Sequence, residues 1–203
     1  MRDGVGLLRK VEARAKKASN FRAEVVEKSQ SAALGTDVSE EVHIAFSSQV
    51  PLKMRRENSG DDRTLLVCDG TESFYSGDGL SYYRNPATLH SDCSLPLVSL
   101  FRLSDDAVSV SVISKDHVVL AQGDRACTVV RAEWRPPTGA TVVRTMCIDP
   151  EWDLILRDVT VTETAKMRIS VTSTFLSYES NPKFSSNTFH FVPSANMREA
   201  KAP

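Results

Sequence analysis

The chain has 203 residues, of which 41% are hydrophobic and 25% charged, and its formal net charge is −1 at pH 7. Such a composition is typical of a folded globular protein, and the small net charge gives no global argument for binding nucleic acid or a membrane. The sequence contains no apolar run of the roughly 18 residues that a membrane helix requires. The first ten residues lack the apolar core of a signal peptide, so we expect either a cytosolic protein or the mature form of an exported one.

The N-terminal region, about residues 5–19, has the pattern of an amphipathic helix. Leu7, Leu8 and Val11 recur at helical spacing and predict a buried face. The other face is basic and carries Arg9, Lys10, Arg14, Lys16 and Lys17. Such a face contacts anionic lipid or nucleic acid in some proteins and is simply solvated in many others.

From Phe21 the pattern changes to that of β-strands. Alternation at Val42, Ile44 and Phe46, and turns such as Gly77-Asp78-Gly79, predict a meander over about residues 21–84. The segment SLPLVSLFRL at 94–103 predicts a second helix, and strands resume from about 107 to 192, with a frayed tail after them.

These elements predict an α+β fold in one domain, residues 1–203. We expect a single curled antiparallel β-sheet, an incomplete β-barrel of about 10–11 strands, because so large a sheet cannot stay flat. The N-terminal helix and the mid-chain lid helix would cover its inner face and leave an apolar cavity.

The four cysteines are Cys68, Cys93, Cys127 and Cys147, and their spacing does not fit a zinc site. Folding the hairpin around Pro136-Pro137 brings Cys127 and Cys147 to nearly opposite positions. They then form either a disulfide or two buried free thiols, and the register that would relate Cys68 to Cys93 is not visible. An even number of cysteines with one plausible pair favours an oxidising compartment.

The sequence contains no nucleophile elbow, P-loop, dinucleotide fingerprint or HExxH motif. The four histidines stand singly, and His90 with Cys93 is only a weak metal-binding pattern. An enzyme would require His90, Cys93 and an acidic group to converge in space. We therefore predict no enzymatic activity, no cofactor and no metal site.

Four patches, in chain order, carry a resemblance to a known family. They are Asn20-Phe21-Arg22-Ala23 with the following EVVEKS, the strand around Pro51, the segment LLVCDGTESFYSGDGLSYY, and FHFVPSANMRE. They resemble the signatures S-F-x-A-x-F-x-Q, R-P-x-x-x-R/W, L-V-S-D-G-x-x-x-W-x-Y and F-x-F-x-P-P-x-G-V of the LolA-like superfamily of periplasmic lipoprotein carriers and their relatives. The run CIDPEWDLILRDVTV is similar to a further strand pair of lipoprotein-sorting-like members. Val50 replaces the arginine that precedes the proline in the carriers, and Phe74 replaces their tryptophan.

The resemblance implies a periplasmic binding or carrier protein that sequesters a lipoprotein acyl group or another lipid in an apolar cavity. The residues expected to line it are Val42, Ile44, Phe46, Leu52, Met54, Leu66, Phe74 and Tyr82, with Leu97, Leu100 and Phe101 on the lid. The alternative for each is ordinary packed core, and Tyr82 either gates the mouth or staples its hairpin. The expected partners are a lipid or acylated lipoprotein, with an envelope membrane protein as a further candidate, but no nucleic acid. The alternative function is an envelope regulatory or sensor protein that binds a protein partner such as an anti-sigma factor.

Overall fold

A computed structural model describes residues 4–17, 20–33, 36–60, 63–87, 93 and 107–200. Within these ranges it contains one helix, α1, which spans Gly4–Lys16. The strands are β1 (Phe21–Ala33), β2 (Thr36–Gln49), β3 (Lys53–Ser59), β4 (Thr64–Asp69), β5 (Glu72–Ser76), β6 (Ser81–Pro86), β7 (Ser109–Leu120), β8 (Gly123–Trp134), β9 (Thr141–Asp149), β10 (Leu154–Glu163), β11 (Met167–Ser180) and β12 (Arg198–Ala200). The predicted lid helix at 94–103, with Leu97, Leu100 and Phe101, lies outside the described residues.

The described strands form one sheet of mostly antiparallel neighbours. Its hydrogen-bonded order is β12-β6-β5-β4-β3-β2-β1-β11-β10-β9-β8-β7. It has twelve strands rather than the predicted ten or eleven, and β7 and β12 are its two edges. β12 pairs with β6 in the parallel direction, through Arg198–Ala200 against Ser81–Tyr83. The tail was therefore wrongly predicted to be frayed, since its last described residues join the sheet.

Short turns connect the strands of the meander, and their side chains explain why the chain reverses there. After β4, the carboxylate of Asp69 accepts hydrogen bonds from the backbone N–H groups of Thr71 at 2.7 Å and Glu72 at 2.8 Å. Gly70, between Asp69 and Thr71, has a φ of 107°, a backbone conformation that residues other than glycine rarely adopt. The Asp-Gly pair thus makes the tight reversal that its sequence predicts.

The chain divides into two compact units. The first contains Met1–Lys17, Val26–Glu41 and Phe101–Leu176. The second contains Ala18–Val25, Val42–Leu100 and Ser177–Pro203. β1, β2 and β11 contribute residues to both.

In the first unit, α1 packs against the sheet through its apolar stripe. Leu7, Leu8 and Val11 are buried, as the helical spacing predicts. A Cβ atom added at Gly4 would lie 3.1 Å from Cγ1 of Val110, so the start of the helix lies almost in contact with β7. A side chain at this position would require Val110 to shift by a few tenths of an ångström.

In the second unit, the sheet is covered on both faces. On one face Met54 packs with Cys68 and Cys93. On the other, the ring of Phe74 lies 4.9 Å from that of Phe191, centroid to centroid. Both faces therefore contribute to burial in this unit.

Two predicted strand assignments in the second unit are wrong. The segment TFHFV at 188–192 is not a strand, because backbone N–H groups of Thr188 and His190 bond to the carbonyls of Ser185 and Asn187 in successive turns. Residues 50–52 form a turn with a cis Val50–Pro51 bond rather than part of a strand, and β3 begins only at Lys53.

Candidate ligand-binding site

A cavity of about 1050 Å³ lies in the first unit, between the start of α1 and the edge strand β7. It is lined by Gly4, Val110, Ser111, Val112, Ile113, Ser114, Lys115, Ala126, Cys127, Thr128 and Pro150. Most of these residues belong to β7 and the adjacent part of β8. The volume is at the upper end of the roughly 300–1,000 Å³ that is typical of small-molecule sites.

An irregularity in β7 shapes the wall of the cavity. Val112 aligns with Val130 on β8, but Ser114 aligns with Val129, so Ile113 is an extra residue in a β-bulge. Because side chains alternate along a strand, the bulge places Lys115 on the same face of the sheet as Val112. α1 packs on β8 from this same face, and so the cavity lies on the helix side of the sheet.

β7 presents its backbone and several apolar side chains at the sheet edge. Leu120 and Gly123 close a two-residue hairpin, so alternate residues before Leu120 turn their N–H and C=O groups away from β8. Lys115, His117 and Val119 are these residues. Among the large apolar side chains of β7, Ile113 is 52% exposed and Val119 is 67% exposed.

Charges at the edge strand are distributed unequally between its two faces. The carboxylate of Asp116 projects away from the cavity, where it pairs with Arg157 and accepts the backbone N–H of His117 at 2.8 Å. The hydrogen bond from the N–H of His117, followed by that from Arg157, holds the pKa of Asp116 below its usual value. Asp116 is therefore engaged elsewhere, and Lys115 is the charged residue in the cavity lining.

The far wall of the cavity, at Pro150, is held in place by a buried carboxylate. Asp149 is fully buried, and it accepts hydrogen bonds from Nε of Arg125 at 2.7 Å and from the backbone N–H groups of Glu151 at 2.7 Å and Trp152 at 3.0 Å. The guanidinium of Arg125 also lies 4.2 Å from the ring centroid of Trp152. These contacts fix the turn between β9 and β10 and thereby the position of Pro150.

The same contacts set the ionisation of Asp149. Burial raises its pKa, but the hydrogen bond from Arg125 and those from the backbone N–H groups of Trp152 and Glu151 lower it, and the net pKa lies below the usual value. Asp149 is consequently an anion at neutral pH. Its partners are Arg125 and the backbone of the following turn, and these hydrogen bonds hold that turn in place.

Two disulfides connect the four cysteines. Cys127 in the cavity lining is bonded to Cys147 on β9, with the Cα atoms 5.4 Å apart. Cys68 on β4 is bonded to Cys93, with the Cα atoms 5.8 Å apart. Since the sulfur of Cys93 is in a disulfide, it offers no thiolate to the metal or catalytic site that His90 and Cys93 would require. His90 lies outside the described residues. Two disulfides fit an extracytoplasmic location.

The strand register divides the predicted wall residues between opposite faces of the sheet. Phe46 and Leu66 both align with Arg56 of β3 and share one face. By alternation that face also carries Val42, Ile44 and Met54. Phe74 aligns with the residue after Leu66 and therefore projects from the other face, where its ring lies 6.4 Å from that of Tyr82. Leu52 lies in the turn before β3. The assignment of these residues to a ligand cavity stays a prediction.

The residues that line the cavity of about 1050 Å³ were not among those predicted to line one, and Cys127 was singled out only as a disulfide partner. The segment AVSVSVIS, residues 107–114, begins the strand region predicted from about 107 to 192, but the adjacent Val112 and Ile113 interrupt its alternation. Two consecutive β-branched residues in an otherwise alternating edge strand are the local signal of the bulge. The proximity of Gly4 has no local signal, since it depends on the packing of α1.

Two further observations apply to the part of the chain that the structure describes. It contains no group of three or more His, Cys, Asp or Glu side chains placed to hold a metal ion. Its helix is not long and apolar enough to cross a membrane.

Comparisons with known proteins give structural matches only. No family model and no curated protein matches the sequence. A chain in the Pseudomonas aeruginosa MucA/MucB complex matches 94% of this chain with a TM-score of 0.51 and 14% identity. This chain covers 62% of the length of that one. The match shows a shared fold.

Members of the superfamily expected from the sequence are also among the structural neighbours. A LolA superfamily protein from Nitrosomonas europaea matches with a TM-score of 0.39 and 8% identity, over 94% of this chain and 99% of its own. A putative outer membrane lipoprotein-sorting protein domain from Vibrio parahaemolyticus matches with a TM-score of 0.32 and 6% identity, over 92% and 96%.

Proposed function

We propose that this chain is a non-enzymatic periplasmic binding protein that holds an acyl chain in the cavity beside β7. The observation that carries the proposal is the apolar cavity of about 1050 Å³ between α1 and the edge strand. Val110, Val112 and Ile113 supply its apolar wall, and Lys115 supplies a cation for the carboxylate or phosphate at the end of the ligand. The disulfides support an oxidising compartment such as the periplasm.

The expected driving force is the removal of methylene groups from water. At about 0.8 kcal/mol per methylene, a sixteen-carbon chain gains on the order of 10 kcal/mol before the costs of ordering ligand and protein. The role of Leu97, Leu100 and Phe101 as a lid stays a prediction, since these residues lie outside the described ranges.

The test is a titration of the purified chain with a fluorescent fatty acid, 11-(dansylamino)undecanoic acid. We expect saturable binding of one probe, and we expect Val112→Glu to weaken it at least about tenfold because a charge then enters the apolar wall. Val119→Glu is the matched control, since it places the same charge on the same strand and face outside the cavity lining. The proposal fails if the wild type shows no saturable binding, or if both variants bind like the wild type.

A second titration examines the role of Lys115. If its ammonium group recognises the anionic end of the ligand, Lys115→Gln lowers the affinity for palmitate severalfold and leaves the affinity for hexadecanol unchanged. Equal loss for both ligands would assign Lys115 to packing alone.

The exposed edge of β7 favours a second candidate, the binding of an extended segment of a partner protein. Ile113 and Val119 are exposed beside outward-facing backbone groups, which is the arrangement that strand addition uses. The MucA/MucB match is to a chain in a protein complex, which supports this candidate through the shared fold.

An array of peptides from envelope membrane proteins tests this candidate, with hydrogen exchange as the second measurement. Bound peptide is expected to slow exchange at the amides of Lys115 and Val119. Val119→Glu is expected to weaken peptide binding, although it leaves the binding of the fatty acid unchanged. Peptide binding that leaves both amides unprotected would contradict strand addition.

A further inference from the structure

The outward face of α1 carries a set of cations that ligand binding does not use. Arg9 and Lys10 on α1 are exposed, and so is Lys17, the residue directly after α1, whose backbone N–H still bonds to the carbonyl of Ala13. Leu7 and Val11 are buried on the opposite side of the helix. At about 100° per residue, the three cations fall within an arc of about 100° around the helix axis. They extend over about 12 Å along the helix, given a rise of about 1.5 Å per residue.

The electrostatic state of these cations differs from that of three arginines on the strands of the same unit. Arg125, Arg144 and Arg157 each pair with a carboxylate. Arg9, Lys10 and Lys17 form no ion pair with any residue that the structure describes. Glu12, three positions after Arg9, is the acidic residue of α1, and the three cations outnumber it. The patch is therefore a net positive region on a chain whose formal net charge is −1.

We propose that this basic face of α1 docks the protein on an anionic phospholipid surface. A straight helix with its cations on one side presents them together to a flat, negatively charged plane, and each cation adds to the attraction. A protein partner would instead be expected to require an exposed aromatic or large apolar anchor. Val5 is the large apolar residue exposed on this helix, and it is only 36% exposed.

The position of α1 gives the docking a consequence for the cavity. The helix begins at Gly4, which lines the cavity. A protein held on the membrane through the outward face of α1 therefore has the end of its cavity within one helix diameter of the lipid headgroups, about 10–12 Å. The proposal goes beyond ligand binding and holds whether or not the cavity takes an acyl chain.

Vesicle co-sedimentation of the purified chain tests the proposal. Vesicles of phosphatidylcholine with one third phosphatidylglycerol are expected to sediment the protein at low salt. Vesicles of pure phosphatidylcholine are expected to leave it in solution, and high salt is expected to release it. At about one kcal/mol per cation near the surface, Arg9→Glu/Lys10→Glu/Lys17→Glu is expected to lose at least tenfold in partitioning, and the Gln triple variant an intermediate amount.

The matched control changes net charge equally at three other exposed lysines. Lys53→Glu/Lys166→Glu/Lys183→Glu is expected to keep most of the vesicle binding. The proposal is overturned if the control loses as much as the α1 variant, if the α1 variant binds like the wild type, or if the wild type binds neither vesicle. Binding of duplex DNA that is tighter than vesicle binding at the same salt would also overturn it. Far-ultraviolet circular dichroism verifies that each variant is folded.

Discussion

The ring of Phe191 stacks on that of Phe74, with the centroids 4.9 Å apart and the planes inclined by 12°. Tyr82 also packs against the ring of Phe191, at 5.0 Å between centroids. Phe191 belongs to the stretch between β11 and β12 that has no ladder hydrogen bonds, so its aromatic packing helps to hold this stretch against the meander.

Replacing Phe191 should therefore destabilise the protein. We expect Phe191→Ala to lower the free energy of unfolding by about 3 kcal/mol, because a buried ring is lost and a void remains. Val192→Ala is the control, since the neighbouring side chain is 73% exposed and should change stability by less than about 0.5 kcal/mol. Urea denaturation followed by circular dichroism gives both values, and equal effects would show that the aromatic cluster contributes nothing specific.

The buried Asp149 should make stability depend on pH. Its pKa in the folded protein lies below that of the unfolded chain, so its stabilising effect is present above the unfolded value and is lost as the pH falls through the folded value. Asp149→Asn should lower the free energy of unfolding by about 3 kcal/mol at pH 7, because Arg125 loses its buried partner. The difference from wild type should shrink as the pH is lowered below about 4.

The exposed Asp124 supplies the control for that experiment. Asp124→Asn should change stability by less than about 0.5 kcal/mol at either pH. If the free energies of unfolding of wild type and Asp149→Asn differ by the same amount at pH 7 and pH 3, the assignment of the pH dependence to Asp149 is wrong.

The disulfide between Cys68 and Cys93 should stabilise the second unit. It closes a loop with a sequence separation of 25 residues. In the chain-entropy model a loop of that length is worth about 3 kcal/mol, so Cys68→Ser/Cys93→Ser should lose about that amount in urea denaturation without reductant. Thiol titration of the denatured, unreduced wild type is the direct check, and four reactive thiols would contradict both disulfides.

Met54 offers a way to separate a core role from a ligand-wall role. It is 2% exposed and packs with Cys68 and Cys93, so Met54→Ala should cost about 3 kcal/mol of unfolding free energy. If Met54 is core only, the affinity of the folded variant for the dansyl fatty acid should equal that of the wild type. A large loss of affinity with little loss of stability would instead support the predicted wall.

The fold could be predicted where local pattern and tertiary burial agree. Ile44 and Phe46 alternate in the sequence, and both are 5% exposed on one face of β2. Phe189 and Phe191 show the same alternation and are also buried, but their backbone forms turns rather than a ladder. A sequence pattern cannot distinguish such alternating buried residues from a paired strand. The rings that pack against Phe191 come from residues more than 100 positions earlier in the chain.

The candidate site was harder to predict than the fold. Its walls depend on the register between β7 and β8, on one inserted residue at Ile113, and on the absence of a side chain at Gly4. The first two are features of one hairpin, but the third joins Gly4 to Val110 and Val130, more than 100 positions later in the chain. The disulfide between Cys127 and Cys147 was within reach, since one hairpin brings both cysteines close together.

The hydrogen bond from the N–H of His117 to Asp116 has a consequence for the behaviour of the protein at high concentration. Long apolar edge strands tend to pair edge to edge with other chains and form aggregates, and each free backbone N–H group along the edge can make one of the hydrogen bonds. Here the chain blocks one such point with its own carboxylate, and the bulge at Ile113 interrupts the row a few residues away. Two copies that approach edge to edge therefore have no uninterrupted row of free backbone groups to pair. β7 stays accessible to a ligand or a short segment while it resists polymerisation.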